Sequence, residues 1–220
     1  MLKGHSLSTF ASFLYSLRLC VKAFVLVIGF VSLPRSHAML IRPLEIVIAL
    51  CLLLAAFGSI AHGKVYSSKE DALQRAFPGA ESIETVNLYL SNEEKERIRK
   101  ASGVSVDSGI YSFYVGKKDG KTLGYAAIEA GTVRTLPETV LVVMNRDGSV
   151  RYAEILAFFE PPDYKPSKRW LDQFEGERLD RDLRVGGDIQ GISGATLSAQ
   201  AITRQVRKTS AMLQLLLEKN

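Results

Sequence analysis

The chain opens on two apolar runs and then changes character. Ala23–Leu33 spans eleven residues and ends at Pro34-Arg35, and Ile46–Phe57 spans twelve with no polar interruption. Both are shorter than the roughly 18–20 apolar residues a membrane-spanning helix needs, and a run of about twelve fits the core of a secretory signal. Read from Met39, the segment has a basic start ending at Arg42, an apolar core, and then Ser59-Ile60-Ala61, with small residues at the two positions a signal peptidase inspects. This predicts Met39 as the true start, residues 1–61 as a targeting segment cleaved after Ala61, and residues 62–220 as one exported domain. The alternative is a retained inner-membrane anchor over residues 41–61, because a tilted or short helix can adapt to a thin bilayer.

Beyond residue 62 helical and alternating periods follow one another. Ser68 predicts the cap of a helix over 69–77, with Glu70 and Asp71 in its first turn and Pro78-Gly79 ending it. Val86–Leu90 reads as a short strand. Ser91 followed three residues later by Glu94 is a capping box for a charged helix over 91–100. The period then becomes two. Ile110–Val115 and Leu123–Ala130 flank Asp119-Gly120, while Thr139–Met144 and Val150–Phe159 flank Asp147-Gly148, which predicts two antiparallel hairpins. Tyr111, Phe113 and Val115 should face one way, and Val140, Val142 and Met144 should supply a buried face elsewhere. Glu160-Pro161-Pro162 ends the alternation, since proline has no N–H for a ladder. Ser167 caps a short helix through Phe174, and residues 198–218 form a long amphipathic helix striped by Ala201, Ile202, Val206, Met212, Leu213 and Leu216. The predicted fold class is therefore α+β: an antiparallel sheet of four to five strands with flanking helices, preceded by a signal peptide or anchor.

Charge and side-chain chemistry narrow the function. Of 28 basic and 23 acidic residues, residues 1–61 hold five and one, so the body of the chain is nearly neutral. A nucleic-acid partner is not expected, because its main electrostatic signature is missing. Cys20, Cys51, His5, His37 and His62 all precede Gly63. Zinc, haem and iron–sulfur sites with Cys or His ligands, a Cys nucleophile and a Ser-His-Asp triad are thereby excluded from the body. No metal site and no catalytic acid–base set is assigned. Chemistry here must use hydroxyls, carboxylates, Lys or Arg, backbone, or a cofactor brought from outside.

Gly191-Ile-Ser-Gly-Ala-Thr-Leu-Ser198 carries that chemistry. Gly194 and Ala195 sit just before a helix, bracketed by the hydroxyls of Ser193 and Thr196. A helix start offers unpaired N–H groups and a partial positive charge, and small residues let a phosphate reach them. The plain alternative is an ordinary capped helix start.

Ser193-Gly-Ala-Thr-Leu-Ser198 resembles the flavin-attachment motif of the FMN-binding domain family. That family includes the covalently flavinylated subunits of sodium-pumping NADH:quinone reductase and of the Rnf electron-transport complex, and the extracytoplasmic domain of nitrous-oxide-reductase regulators. Gly124-Tyr125, Val133-Arg134, Val140 to Val143, Asp147-Gly148, Phe159-Glu160-Pro161, Tyr164, Trp170-Leu171 and Phe174 to Gly176 occur in the order the family shows, so the resemblance covers residues 109–208. It implies FMN held as a phosphoester on Thr196, formed from FAD by a separate flavin transferase with a divalent metal. One departure stands out: the family motif commonly has an acidic residue six positions before the Thr, where this chain has Gln190, with Asp188 two residues earlier.

A flavin ring needs apolar cover, for which Tyr164 and Trp170 are the candidates. Trp170 serves equally as ordinary core packing. Glu160 would bond the ring edge or ribityl chain, or else pair with Arg134 or Lys168. Arg134 would favour an anionic reduced flavin, or else be a solvated strand-end charge. The resemblance implies an exported electron-transfer domain, periplasmic or otherwise extracytoplasmic, relaying electrons between membrane or periplasmic redox proteins. The alternative, favoured by Gln190, is a flavin-free regulatory or scaffold module of a membrane redox complex. A free-standing flavin reductase is a weaker reading, since no dinucleotide fingerprint is present.

Overall fold

A computed structural model describes residues 63–219. The signal, the cleavage point and the anchor alternative lie outside those residues. Among the described residues no helix is long and apolar enough to cross a membrane.

The chain runs β1 (Lys64–Val65), α1 (Lys69–Ala76), β2 (Ser82–Tyr89), α2 (Asn92–Ser102), β3 (Ile110–Lys118), β4 (Lys121–Thr132), β5 (Pro137–Met144) and β6 (Val150–Phe158). A 3-10 turn over Pro162–Tyr164, the short helix α3 (Lys168–Leu171) running into a second 3-10 turn, and α4 (Thr196–Lys219) complete it. The fold is α+β. Its sheet has six antiparallel strands in the order β1-β6-β5-β4-β3-β2. Five of them form a meander, so each pairs with its neighbour in sequence. The sixth, β1, was not expected: its two residues are too few to set up an alternation. Pairing of Lys64 with Phe158 and Val65 with Ala157, and the Tyr66 amide donating to the Leu156 carbonyl at 2.7 Å, hold it at the edge.

The β3–β4 hairpin turns on Asp119 and Gly120, with φ of 49° and 69°. Two consecutive positive φ values are what a two-residue hairpin needs to match the strand twist, and Asp-Gly tolerates them. The predicted caps at Ser68, Ser91 and Ser167 all accept a first-turn amide.

β5 is buried on both faces, and its alternation divides the molecule into two cores. Val140, Val142 and Met144 pack under α3 and α4, and Leu141 and Val143 pack under α1 with Ala72, Leu73, Ala76 and Phe77. Phe113 joins the first set, and Tyr111 packs against it. The expectation that the β3 and β5 sets bury separately is thus corrected: with β3 and β5 both antiparallel to β4, their inward positions fall on one face, which the long helix covers. Each such side chain contributes roughly 1.5–3 kcal/mol on burial. Arg207 ties α4 down, donating to the carbonyls of Ala101 and Ser102 at the end of α2 and to those of Asp180 and Leu183. A cation there also meets the negative end of the α2 dipole.

Candidate functional site

The start of α4 is set by the loop that leads to it. The Trp170 indole N–H donates to the Gln190 carbonyl at 2.6 Å, and the Gln190 amide donates to Gln173 Oε1 at 2.8 Å. This clamps the backbone six residues before Thr196. The Ala195 amide then donates to the Ile192 carbonyl at 3.1 Å, closing a tight turn with Gly194 at φ 80°. That conformation favours glycine, and no atom lies within 4 Å of where a Gly194 Cβ would stand. Space is therefore open at the turn.

The helix begins two residues earlier than the apolar pattern suggested. The Ala195 carbonyl accepts the first helical hydrogen bond, from the Ala199 amide at 3.1 Å, so Ala195 is the N-cap and Thr196 the first helical residue. A cap without a side-chain oxygen leaves the amides of Thr196, Leu197 and Ser198 with no acceptor from the capping residue or from the helix. The Thr196 hydroxyl, on an exposed residue, makes only a long 3.4 Å donation to the Ile192 carbonyl.

Opposite this turn stands the connection from β4 to β5. Glu160, 5% exposed and two residues past the end of β6, accepts three amides on Oε1: Arg134 at 3.1 Å, Thr135 at 2.8 Å and Leu136 at 2.9 Å. The amides of Thr135 and Leu136, then that of Arg134 and its nearby guanidinium, hold the Glu160 carboxyl below its ordinary range. Glu160 acts as a brace that fixes the loop carrying Arg134.

Together these segments enclose a cleft of about 200 Å³, lined by Val133, Arg134, Glu160, Tyr164 and Gly194 through Ser198. Of the residues singled out from the sequence, Arg134, Glu160, Tyr164, Gly194, Ala195 and Thr196 share this cleft. Ser193 is exposed in the turn beside it and is not among the lining residues. Trp170 does not line it either: it is buried in the main core, edge-on to Phe174 at 5.4 Å, and reaches the site only through the Gln190 carbonyl. Val133, Leu197 and Ser198 also line it; each stands in a motif quoted above without a role assigned to it, although Leu197 and Ser198 supply the second and third amides of the helix.

The fold and the cleft define an antiparallel α+β domain with a hydroxyl-bearing cleft at the N-terminus of its longest helix. The chain is 28% identical over 160 residues to the G subunit of the Na(+)-translocating ferredoxin:NAD(+) oxidoreductase complex of Acetobacterium woodii, a similarity that covers 65% of this chain and 72% of that protein. No family model matches the chain.

Proposed function

We propose that this protein is an electron-transfer domain that holds FMN in the Thr196 cleft, joined by a phosphoester to the Thr196 oxygen, and passes electrons between partner redox proteins outside the cytoplasmic membrane. The observation that carries this reading is the placement of an exposed threonine hydroxyl, weakly engaged at 3.4 Å, in the first turn of a helix whose capping residue, Ala195, has no side-chain oxygen for the first amides. The cleft fits the group. A phosphodiester keeps one negative charge, which suits the positive end of a helix and the Arg134 guanidinium across from it. The open space at Gly194 lets that anion approach the backbone, and Tyr164 and Leu197, 36% and 49% exposed, offer aromatic and aliphatic surface for a flat ring. Glu160 would not bond the cofactor through Oε1, which already accepts three amides. Bound FMN would supply one- and two-electron chemistry, and the protein's part is to hold, shield and tune it. Similarity to a subunit of a ferredoxin:NAD(+) oxidoreductase complex supports a redox role among partner proteins.

Attachment would call on a flavin transferase: the Thr196 oxygen would displace AMP from the flavin-side phosphorus of FAD, with the P–O bond to AMP broken and the hydroxyl proton passing to solvent. Intact-mass measurement of protein made with such a transferase tests this: the wild type should gain one FMN less one water. A wild type that gains nothing overturns the covalent reading. Gln190 favours the second reading, a flavin-free module of a membrane redox complex. Under it neither the wild type nor any flavin titration of the purified domain gives a bound chromophore.

A further inference from the structure

Beneath α4 the sheet carries a polar pair with two orphaned atoms. Glu138, on β5, is 0% exposed, and Gln205, on α4, is 6% exposed. Gln205 Nε2 donates to Glu138 Oε1 at 3.2 Å. Among the described residues, Glu138 Oε2 and Gln205 Oε1 have no hydrogen-bond partner. Both are acceptors, and a buried acceptor left alone is costly. A single proton held between Glu138 Oε2 and Gln205 Oε1 would satisfy both, the acid O–H donating to the amide oxygen while the amide N–H donates back, as it already does at 3.2 Å. Turning the amide over would not avoid this, since it would bring two oxygens together and again call for a proton between them. Gly131 lies directly opposite Glu138 in the β4–β5 ladder, and a Cβ there would stand 2.1 Å from Gln205 Nε2, so the sequence leaves room for this pair and little else.

We propose that Glu138 and Gln205 form a buried proton-binding site, a neutral carboxylic acid paired with an amide, that takes up and releases its proton in answer to charge in the Thr196 cleft. The first half stands on the pair alone; the coupling rests on the flavin reading. Glu138 does not line the cleft; it stands on β5 two residues past Leu136, whose amide Glu160 holds in the loop that does. Gln205 lies on α4, whose first turn walls the cleft, nine residues from Thr196 and roughly 13 Å along the axis. A negative charge added at that range raises the proton affinity of Glu138 by at most about tenfold at an effective dielectric near 20. The surroundings agree. Burial pushes the Glu138 carboxyl up to about 7, opposed by the charge of Arg204 on α4. On β4, Glu129 occupies the next position on the same face and is paired with Lys208 of α4 at 2.7 Å, and β6 presents the apolar Phe158 opposite Glu138. The proton comes from solvent and accompanies an electron delivered to the cleft by a reductant, so neither charge is left uncompensated.

Infrared spectroscopy of the full chain tests the site without flavin. Near pH 6 the wild type should show the C=O stretch of a neutral carboxylic acid that shifts in D2O and is absent from Glu138→Gln. Glu138→Gln can form the same two hydrogen bonds without a titrating proton, so it should fold. Because the Glu138 pKa is raised on folding, the protonated acid's contribution is fully present below the unfolded value of 4.5 and is lost as pH rises to about 7. Across that window the wild-type folding constant should fall relative to that of Glu138→Gln, by up to roughly 300-fold. No acid band, or a Glu138→Gln variant less stable than wild type at pH 8, overturns the site. In flavin-loaded protein, reduction by dithionite near pH 7 should increase the acid band, and an unchanged band overturns the coupling. Colourless protein would sink the flavin reading and the coupling with it, while the measurements on flavin-free chain still decide the proton site.

Discussion

Two helices of this domain begin in opposite ways. At α2, Ser91 Oγ accepts the Glu94 amide at 3.2 Å and Glu94 accepts the Ser91 amide at 2.8 Å, a complete capping box that Lys219 closes from outside at 2.7 Å. At α4 the cap is Ala195, which has nothing to offer the first-turn amides, and the hydroxyl has moved one residue inward to Thr196. α2 spends its donors on itself and gains stability. α4 keeps its donors and its hydroxyl facing a cleft that also holds Arg134 and Tyr164. A helix roughly four turns longer, packed on the sheet along most of its length, can tolerate an uncapped start because tertiary packing supplies most helical stability.

The largest test of this contrast is Thr196→Ala. In protein made with a flavin transferase it should abolish the FMN adduct completely, as read by intact mass, while shifting stability by no more than about 0.5 kcal/mol, because the residue is exposed and its hydrogen bond is long. An adduct that survives the substitution would move the attachment elsewhere. Ser91→Ala is the converse. It should cost about 1 kcal/mol, or roughly 2–4 °C in Tm for a domain of this size, and leave flavin content unchanged. If Ser91→Ala proves neutral and Thr196→Ala unfolds the domain, the two starts have been assigned the wrong way round.

Much of this contrast was legible in the residues, because caps and hairpins are local. Ser68, Ser91 and Ser167 each sit within three residues of the amide they accept, and Asp119-Gly120 dictates its own turn. Long-range partnerships were not legible. The Trp170 indole is held by a carbonyl twenty residues away, Glu160 binds amides 24 to 26 residues back, and Gln205 meets Glu138 across 67 residues. The two-residue β1 likewise exists only because β6 is there to receive it. The true start of α4 was obscured because its apolar stripe begins only at Ala201, while the first turn, Thr196 to Ser198, lines the cleft.

Acid titration separates the two starts further, with a smaller effect. The Lys219 ammonium, and then the Ser91 amide, hold the Glu94 carboxyl down at about 2. A carboxyl whose pKa is lowered on folding contributes stability that is present above the unfolded value of 4.5 and is lost as pH falls through the folded one. Glu94→Gln should therefore be less stable than wild type at neutral pH in urea titrations, and the gap should close between pH 4.5 and pH 2. A gap that persists unchanged at pH 2 would mean that shape and not charge makes this cap.

The smallest expected shift is the most pointed. Ala195→Ser would give α4 the kind of start that α2 has, with an oxygen placed to accept the Ser198 amide. Ala195 is 4% exposed, so the added atom must fit a tight place, and the gain should be only a few tenths of a kcal/mol, roughly 1 °C in a thermal melt. The same oxygen would occupy a donor that the phosphoryl group needs. Adduct formation, followed by intact mass over time with a fixed amount of transferase, should slow even though Thr196 is untouched and the fold is slightly firmer. Stabilisation together with slower attachment would show that the missing cap serves the ligand. Attachment at the wild-type rate would mean that the phosphoryl group is held by Thr196 and Arg134 without those amides, and that the bare cap of α4 is merely tolerated.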